Sequence, residues 1–470
     1  MVAIPFPTTT SPGREPSEGG GRLINAYAEA MSAGASAQAV IRRAPGLVSF
    51  CDTLQSGFRG AIYAAPYIYI AYENVIVTVN ATGAVEVVGT FNGADPVSFA
   101  RNNKRPIPDI VAVSQDGTFV VTSSTISPLA DPDLPSLVDI TNVDGYFVGA
   151  GADGQMYNSG LNDITFNALD TARAEANPDG LVAIRSFQSQ IYACGTASIE
   201  VWSNVGNPTG FPFSRAEVIT RGIIGKRAIT GVEDGFSKRV MFVGEDCQVY
   251  SLDGYQAVKI SPPYLDWLIS SDPSRTTIRC WVYTVSGHPC LVVSGTGWTW
   301  VYDLQTDKWH ERQSTGRNDW RASGSIYAFG KWLVGDDGST KLQYLTEDAQ
   351  DEDGDPLIFE VWSGQGTAFP NRLKVPRADF DFTPATGRVT GEAPVQTNPK
   401  AMISWSDNGG ATFGNQVERL IGPQGEYLTR CTVSPCGMTG PAGRMWKLRV
   451  SDPVYVGLKS GDMDVQQMRK

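Results

Sequence analysis

The segment QIYACGTASIEVWSN, residues 190–204, contains the pattern that decides the fold. An apolar run rich in Ile, Tyr and Ala ends at Gly195, a short polar turn follows, and a second apolar run begins at Ile199. Runs of β-branched and aromatic residues that alternate with Gly-containing polar turns are typical of β-strands. The segment therefore predicts two strands joined by a turn.

The same pattern recurs along most of the chain. Comparable runs include YIYIAY, VIVTVN, TFVVTSS, RVMFVG, CLVVSGTG and TWVYDL, and no long helical pattern interrupts them. The best helical candidate, residues 166–180, is short and polar and ends near Asn177-Pro178. The alternation of strands and helices found in nucleotide-binding folds is missing. The sequence therefore predicts an all-β protein.

The spacing of the Gly-containing bends indicates a repeat. The bends follow apolar strands at intervals of 44, 49, 51 and 40 residues, at Gly151, Gly195, Gly244, Gly295 and Gly335. Blades of β-propellers recur with a period of about 40–50 residues. We expect a β-propeller-like domain of about six divergent blades over residues 46–350. A single large β-sandwich is the alternative that this pattern leaves open.

The two ends of the chain differ from the repeat region. Residues 1–45 are predicted to form an extended N-terminal arm, because residues 1–22 are rich in Pro, Ser, Thr and Gly and cannot bury enough surface alone. Such an arm is either disordered or ordered against a partner. The acidic, turn-rich segment 346–356 separates the repeats from residues 357–470. The alternating strands there predict a smaller C-terminal β-sandwich domain.

Composition and charge exclude several classes of protein. The 470 residues include 38 Lys and Arg against 49 Asp and Glu, a net charge of −11, so general nucleic-acid binding is not expected. The start of the chain has no secretory signal pattern. The longest apolar stretch, residues 61–72, contains Pro66 and is too short to span a bilayer. We expect a chain made in a cytoplasm without a membrane anchor.

The cysteines indicate neither disulfides nor zinc. They are odd in number and scattered, as small buried apolar residues in a reducing compartment would be: Cys51, Cys194, Cys247, Cys280, Cys290, Cys431 and Cys436. Cys431 and Cys436 have no second pair of ligands nearby, whereas a tetrahedral zinc site needs four. We predict no metal site and no cofactor.

Candidate catalytic residues are few. The only two histidines, His288 and His310, stand in or beside predicted turns and strands, where a lone His is usually a polar surface residue. The stretch GIIGKR, residues 222–227, lacks the spacing of a phosphate-binding loop and predicts a turn between strands. No nucleophile elbow of the Gly-x-Ser-x-Gly type is found. We therefore predict no catalytic residue and no enzyme activity.

Three further features each have a functional and a structural interpretation. The acidic run Asp351–Asp355 could bind calcium but lacks the ligand order of an EF-hand, which favours a solvated linker. Residues 406–413, SDNGGATF, resemble the Asp-box of sialidases, a motif that stabilises a hairpin. The tryptophans between residues 281 and 332 could form a carbohydrate platform, but packing between blades is the favoured interpretation.

The order of three segments adds a family resemblance. They are RRAPGLVSF at 42–50, VDGYFVGAGADGQMYNSGLND at 143–163 and NPDGLVAIRSFQSQIYACGTASIEVWSNVGNP at 177–208. They resemble the packaged-DNA stabilisation, or tail accessory, family of short-tailed bacteriophages, as does ISWSDNGGATFGNQVERLIG near the C-terminus. The matching residues are Arg43, Pro45 and Gly46, then Pro178, Asp179 and Gly180, then Gly195, Ser198, Ile199, Glu200 and Trp202.

The resemblance implies a structural tail protein, a hub or nozzle, which forms a homo-hexameric ring below the portal. Its implied partners are the head-to-tail adaptor, a tail fibre or spike, a tail plug or needle protein, and double-stranded DNA in non-specific passage. The implied location is the virion tail, after synthesis in the host cytoplasm. A carbohydrate- or receptor-binding tail protein and a sialidase-like glycan hydrolase are the alternatives. The tryptophan-rich segment has no confident counterpart in the family.

Overall fold

β-Structure dominates the computed structural model, which describes residues 1–35, 37–177, 179–207, 209–236 and 239–468. Within these ranges the only α-helix, α1, spans Pro263–Ser271, and two 3-10 helices span Pro16–Glu18 and Arg275–Thr277. No helix in the described part of the chain is long and apolar enough to cross a membrane. The predicted all-β fold class is confirmed.

Strands numbered in chain order form an N-terminal region and seven successive blades. The N-terminal strands are β1 (Val2–Ala3), β2 (Arg22–Ile24), β3 (Ala26–Ala30), β4 (Ala39–Arg43) and β5 (Gly46–Asp52). Blade one consists of β6 (Gly60–Ala64), β7 (Tyr67–Tyr72), β8 (Val75–Val79) and β9 (Val85–Thr90). Blade two consists of β10 (Ser98–Arg101), β11 (Ile110–Ser114), β12 (Gly117–Val121) and β13 (Ile126–Pro128). Blade three consists of β14 (Asp139–Val143), β15 (Tyr146–Ala150), β16 (Gln155–Ser159) and β17 (Phe166–Arg173).

Blades four to seven follow the same antiparallel order. Blade four consists of β18 (Leu181–Phe187), β19 (Gln190–Gly195), β20 (Ile199–Asn204) and β21 (Phe213–Ile219). Blade five consists of β22 (Ile229–Thr230), β23 (Met241–Val243), β24 (Val249–Asp253) and β25 (Gln256–Lys259). Blade six is β26 (Arg279–Val285), β27 (His288–Gly295), β28 (Trp298–Asp303) and β29 (Lys308–Glu311). Blade seven is β30 (Ala322–Ala328), β31 (Lys331–Asp336) and β32 (Lys341–Thr346), completed by β5.

The blades close into a propeller. Strands β6, β10, β14 and β18 lie side by side, as do β22, β26 and β30, and β30 also lies beside β6. The first strand of each blade is therefore the innermost one. The outermost strand of blade seven is β5, which pairs antiparallel with β32 and places Leu47 opposite Leu345. A strand from before the first blade thus completes the last blade.

The propeller therefore has seven blades where the sequence predicts about six. The Gly-containing bends end the second strand of blades three to seven, from Gly151 to Gly335. In blades one and two the second strand ends at Tyr72 and at Ser114, so a count based on glycine misses them. The β-propeller prediction is confirmed, and the alternative of a single large β-sandwich is wrong.

Apolar side chains fill the spaces between successive blades. Ala71 and Ile76 of blade one pack in the same cluster as Ile110 of blade two, and Ile184 of blade four joins Val148 of blade three. All five side chains are buried. Because each blade buries both faces, the hydrophobic effect holds neighbouring blades together over the whole ring.

The C-terminal region forms a β-sandwich, as predicted. Two short strands, β33 (Asp351–Glu352) and β34 (Asp355–Pro356), extend the sheet of blade seven beyond β5. The strands that follow them are β35 (Phe359–Trp362), β36 (Arg372–Lys374), β37 (Ala378–Phe382), β38 (Lys400–Ser406), β39 (Val417–Leu420), β40 (Cys431–Val433), β41 (Met445–Val450), β42 (Gly457–Met463) and β43 (Gln466–Met468). One sheet runs β35-β41-β38-β39 and the other β3-β4-β42-β37-β40. The core between them includes Phe359, Phe380, Trp446 and Leu448.

Strands β1, β3 and β4 pack against this sandwich. Strand β1 pairs with β42, β3 and β4 form a hairpin, and β4 pairs with β42. The sequence predicts an extended arm over residues 1–45, whereas the structure orders these strands against the chain's own C-terminal region. The hairpin buries both Val40 and Ile41, but the many small residues around it hide its strands in the sequence.

Candidate functional site

The most elaborate polar arrangement in the chain is the joint between the propeller and the sandwich. Strand β2 lies between β29, the outermost strand of blade six, and β35 of the sandwich. It runs parallel to β29, with Ile24 opposite Glu311, and antiparallel to β35, with Leu23 opposite Val361. A nine-stranded sheet therefore continues from one domain into the other. Backbone hydrogen bonds across it make the joint rigid.

A buried carboxylate anchors β2 to blade six. Glu311 accepts hydrogen bonds from Arg22 Nε at 3.0 Å and Nη2 at 2.5 Å, and from Thr10 Oγ1 at 2.7 Å. The Arg22 contact is bidentate, the geometry that fixes a guanidinium most firmly on a carboxylate. Thr10 and Arg22 of the N-terminal region are thus held directly on the propeller.

A second buried ion pair joins blade six to the segment between the domains. The side chain of Arg312 is 0% exposed and lies 3.4 Å from Oε1 of Glu352, whose side chain is 1% exposed. The guanidinium lies 4.0 Å above the ring of Trp320, and Trp320 Nε1 donates to the same Glu352 oxygen at 2.8 Å. Arg312 Nη1 also donates to the Pro45 carbonyl at 3.0 Å. The acidic run predicted to be a solvated linker therefore contributes one fully buried carboxylate.

Arg43, at the end of β4, connects three segments through backbone carbonyls. Its Nη1 donates to the carbonyls of Gln350, Asp452 and Val454 at 2.9–3.1 Å, and its Nη2 donates to Val450 at 3.0 Å. Burial lowers the pKa of this guanidinium to about 9. The charge is retained because the carbonyl dipoles replace the water it has lost.

Both histidines lie at the same joint and not in surface turns. The ring centroid of Tyr27, from β3, is 5.4 Å from that of His288 and 6.2 Å from that of His310. His288 Nδ1 lies 2.8 Å from Asp303 Oδ2, and this hydrogen bond raises the pKa of His288. Burial, aided by the Arg312 charge, lowers the pKa of His310 to about 3.

The surroundings of His310 leave no space for a substrate, whereas His288 also lines a separate cavity of about 460 Å³. The void between Tyr27, His288 and His310 has a volume of about 10 Å³. That is about the size needed for one water molecule. A general acid or base must reach the proton that it transfers, so His310 in this position has no reacting partner.

The tryptophan-rich segment is packed inside the propeller. The side chains Trp281, Trp298, Trp300, Trp309, Trp320 and Trp332 are all buried. Trp281 stacks on Trp320 with ring centroids 5.2 Å apart, and Trp300 lies 6.1 Å from Trp309. A carbohydrate platform needs exposed ring faces, which these side chains do not offer.

The Asp-box-like segment forms a reinforced turn. Ser406 Oγ accepts from the Gly410 amide at 2.9 Å, and Asp407 takes a bidentate pair of hydrogen bonds from buried Arg444 at 2.8 and 3.0 Å. The Phe413 ring packs 4.8 Å from that of Trp362. Each polar group of the turn thus serves the fold of the sandwich.

The remaining predicted features also occupy structural positions. Lys226 and Arg227 lie in the turn before blade five, as expected for a turn between strands. Asp353 pairs with Lys341, and Asp355 pairs with Arg321 at 2.7 Å. Cys431 and Cys436 are buried, and no group of three His, Cys, Asp or Glu side chains placed to hold a metal occurs among the described residues. Pro178, one of the residues behind the family resemblance, lies outside the described residues.

The joint residues were not predicted from the sequence. One signal was present: in β4 the buried Arg43 occupies the same face as buried Ile41, two positions earlier. In β29, Glu311 and its neighbour Arg312 continue a buried series that starts at Trp309. Charged residues at positions where the strand pattern demands burial indicate paired, structural charges.

Comparison with known proteins matches two adjacent parts of the chain. The family described as bacteriophage P22 Gp10, beta-propeller, matches residues 22–350, and bacteriophage P22 Gp10, beta-sandwich, matches residues 377–466. No curated protein matches the chain.

Two solved structures have similar backbones. Selenomethionine-substituted virginiamycin B lyase from Staphylococcus aureus is 11% identical, covers 64% of this chain and 99% of its own, and gives a TM-score of 0.46. The WD40 beta propeller domain of Doa1 is 8% identical, covers 64% of this chain and 97% of its own, and gives a TM-score of 0.42.

Proposed function

We propose a specific role in the virion for this chain, which belongs to the bacteriophage P22 Gp10 family and is a structural protein of a phage tail. In this role six copies form a ring, the hub or nozzle, below the portal and the head-to-tail adaptor. The ring retains packaged DNA, holds tail fibres or spikes and a plug or needle protein, and forms the conduit for DNA ejection. The chain is made in the host cytoplasm and then joins the virion tail.

One observation carries the proposal. The two family matches cover both domains, residues 22–350 and residues 377–466, in the order in which the chain folds them. The joint residues Arg22, Arg43 and Glu311 lie inside the first match. A role that depends on the whole two-domain unit therefore agrees better with the chain than a role of either domain alone.

The rigid joint supports assembly into a ring. A ring closes only when every subunit presents its two contact surfaces at a fixed angle. In this chain the relative position of the domains is fixed by the nine-stranded sheet and by the buried Arg312–Glu352 pair. A flexible linker between the domains would allow open-ended or irregular association instead.

Exposed apolar side chains on the sandwich supply candidate contacts for the partners. Val389, Tyr427 and Leu428 lie in two loops joined by the hydrogen bond from the Val389 amide to Gln424 Oε1 at 3.1 Å, and the Leu428 side chain is 92% exposed. Exposed apolar groups that cluster are typical of interaction surfaces. We assign this loop pair to contact with a neighbouring subunit, a fibre or the adaptor.

The charge of the chain agrees with DNA passage. At a net charge of −11 per copy, a ring carries an excess of negative charge and repels the duplex at long range. A conduit that does not bind its cargo lets DNA pass without sequence preference. Seven cysteines without a disulfide among the described residues suit synthesis in a reducing cytoplasm.

The proposed role includes no catalysis. His310, Glu352 and the tryptophans of residues 281–332 make their contacts inside the fold. The sialidase-like alternative needs an accessible cluster of arginines and carboxylates around a nucleophile. The Asp407–Arg444 pair of the Asp-box-like turn is instead part of the sandwich.

Electron microscopy with symmetry analysis tests the proposal. The purified full chain is imaged alone and after mixing with the adaptor ring, and native mass spectrometry counts the copies. The proposal expects six copies around an axis with a bore wide enough for duplex DNA, at least on the adaptor. A protein that stays monomeric on the adaptor ring, or never binds the ring, would contradict it.

A further inference from the structure

A large cavity lies on the propeller axis, at the end where the innermost strands begin. Its volume is about 960 Å³. The wall is built from the segments that precede blades two, three, five, six and seven, from the first residues of β18 in blade four, and from turns of blades two, six and seven. Cavities of roughly 300–1,000 Å³ are the size that small-molecule ligands occupy.

Four basic side chains line this cavity, and two of them are neutralised by the protein. Arg279 pairs with Asp337 at 2.7 Å, and Arg317 pairs with Asp319 at 2.9 Å. The other two, Lys226 and Arg227, have no carboxylate within 4.0 Å among the described residues. Two uncompensated positive charges in one cavity stand out in a chain whose net charge is −11.

The contacts of Lys226 and Arg227 are to neutral oxygens of two other segments, one before blade two and one in blade seven. Lys226 Nζ donates to the Pro96 carbonyl at 3.3 Å, and Arg227 Nη2 donates to the Ser323 carbonyl at 3.0 Å. Desolvation lowers the pKa of both side chains, that of Arg227 to about 10, so the Arg227 guanidinium remains charged at neutral pH. A partly buried charge without a counter-ion is costly, and an anion at this position would remove that cost.

Most acidic residues of the cavity have basic partners of their own. Besides Asp319 and Asp337, the wall includes Asp95 and Asp116. Asp95 pairs with buried Arg59 at 3.0 Å. Asp116 accepts a hydrogen bond from the Asn92 amide at 3.0 Å and is exposed. Three of the four carboxylates thus have arginine partners of their own.

We propose that Lys226 and Arg227 hold a multivalent oxyanion of the phosphate class in the axial cavity. A guanidinium fork binds two oxygens of a phosphate group, and an ammonium adds a point charge. Because the two side chains also contact the segments before blade two and in blade seven, the bound anion ties blade five to the opposite side of the ring. The site is independent of the proposed role in the tail.

The phosphate group can come from inorganic phosphate or from a nucleotide, and the cavity is large enough for either. Two probes separate these sources: sodium phosphate and a nucleoside diphosphate without a divalent metal. Binding to the full chain is measured by phosphorus-31 line broadening and by isothermal titration calorimetry, at constant ionic strength set with sodium chloride. A tighter constant for the diphosphate identifies the nucleotide as the ligand, and equal constants identify the phosphate group alone.

Substitutions locate the site. We expect Lys226→Met and Arg227→Gln each to weaken binding roughly tenfold, the loss typical of one hydrogen bond to a charged group. The matched control is Lys104→Met, which removes an exposed lysine of blade two whose partner is Asp109. Unfolding curves in chloride alone check that the variants fold.

Phosphate binding should also stabilise the folded chain. The unfolding temperature of the wild-type chain should rise with phosphate concentration and then reach a plateau. The rise should be smaller in Lys226→Met, a substitution that removes only the 3.3 Å hydrogen bond to Pro96 from the folded state. A wild-type chain that broadens no phosphorus signal at millimolar phosphate overturns the proposal without any variant. Equal binding by wild type, Lys226→Met and Arg227→Gln overturns it as well.

Discussion

His310 should make the folded chain less stable in mild acid. Its ring is 3% exposed, and its Nε2 atom has no hydrogen-bond partner within the described structure. Burial and the nearby Arg312 charge lower its pKa to about 3. The titratable groups that line the same small void are Tyr27, Tyr283, His288, Cys290, Asp303 and Glu347. None of them accepts a proton from His310 through a hydrogen bond, so protonation inside the fold is unfavourable.

The sign and the size of the effect follow from proton linkage. An unfolded histidine titrates near pH 6.5, well above the pKa of about 3 in the folded chain. The unfolded chain therefore binds the proton first, and the stability from neutral His310 is present above pH ~6.5 and lost as the pH falls. Between pH ~6.5 and the folded pKa, each pH unit lowers the free energy of unfolding by about 1.4 kcal/mol, so the loss at pH 5 is about 2 kcal/mol.

His288 works in the opposite direction. Its hydrogen bond with Asp303 raises its pKa, so the folded chain binds this proton more tightly than the unfolded chain does. Its contribution is full below pH ~6.5 and is lost as the pH rises through the folded pKa. The two histidines therefore oppose each other in mild acid, and separate variants are needed to resolve them.

The assay is urea unfolding followed by tryptophan fluorescence at pH 5, 6, 7 and 8. We compare wild type with His310→Phe, which keeps a ring beside Tyr27, and with His288→Gln. Between pH 7 and pH 5, wild type should lose about 2 kcal/mol more than His310→Phe, and His288→Gln should lose more than wild type. An unchanged pH slope in His310→Phe would refute the reasoning, because carboxylates affect both proteins equally.

Three other changes test the structural charges. Arg312→Met leaves Glu352 buried without its cation and should lower the free energy of unfolding by about 3–5 kcal/mol in urea titrations. A loss below about 1 kcal/mol, which is typical of an exposed ion pair, would contradict the burial of this pair. Asp407→Ala leaves buried Arg444 without its carboxylate partner and should lower the free energy of unfolding by about 2 kcal/mol in the same assay. Lys400→Ala, which removes one member of an exposed ion pair, is the near-neutral control. Deletion of residues 1–22 removes the Arg22 anchor, so it should lower the unfolding temperature and weaken ring or adaptor binding; unchanged assembly by native mass spectrometry would exclude a role of this segment.

The propeller was predictable because the strands and turns of each blade are specified by residues that are close together in the sequence. Each blade repeats apolar strands and turn residues, and the pattern around Gly195 alone predicts two paired strands. The number of blades was less predictable, since Tyr72 and Ser114 stand where later blades have glycine. Closure by β5 could not be foreseen either, because its pairing with β32 joins residues nearly 300 positions apart.

The joint was not predictable because its charges act over long sequence distances. Arg22 and Glu311 are 289 residues apart, and Arg43 reaches carbonyls about 410 positions away. The sequence pattern shows that Arg43 shares a strand face with Ile41, but it does not show which groups stabilise the charge of Arg43. By contrast, the packing role of Trp281 and Trp320 followed from composition alone, since large rings in a strand-rich segment are normally buried.

Genome retention tests the central claim most directly. Phage particles are assembled with and without this chain, and the DNA content of the purified particles is measured over time. If the chain is a structural part of the tail that closes the head, particles without it package DNA and then lose it, and added full-length chain restores retention. Particles that keep their genome equally well without the chain would contradict the account.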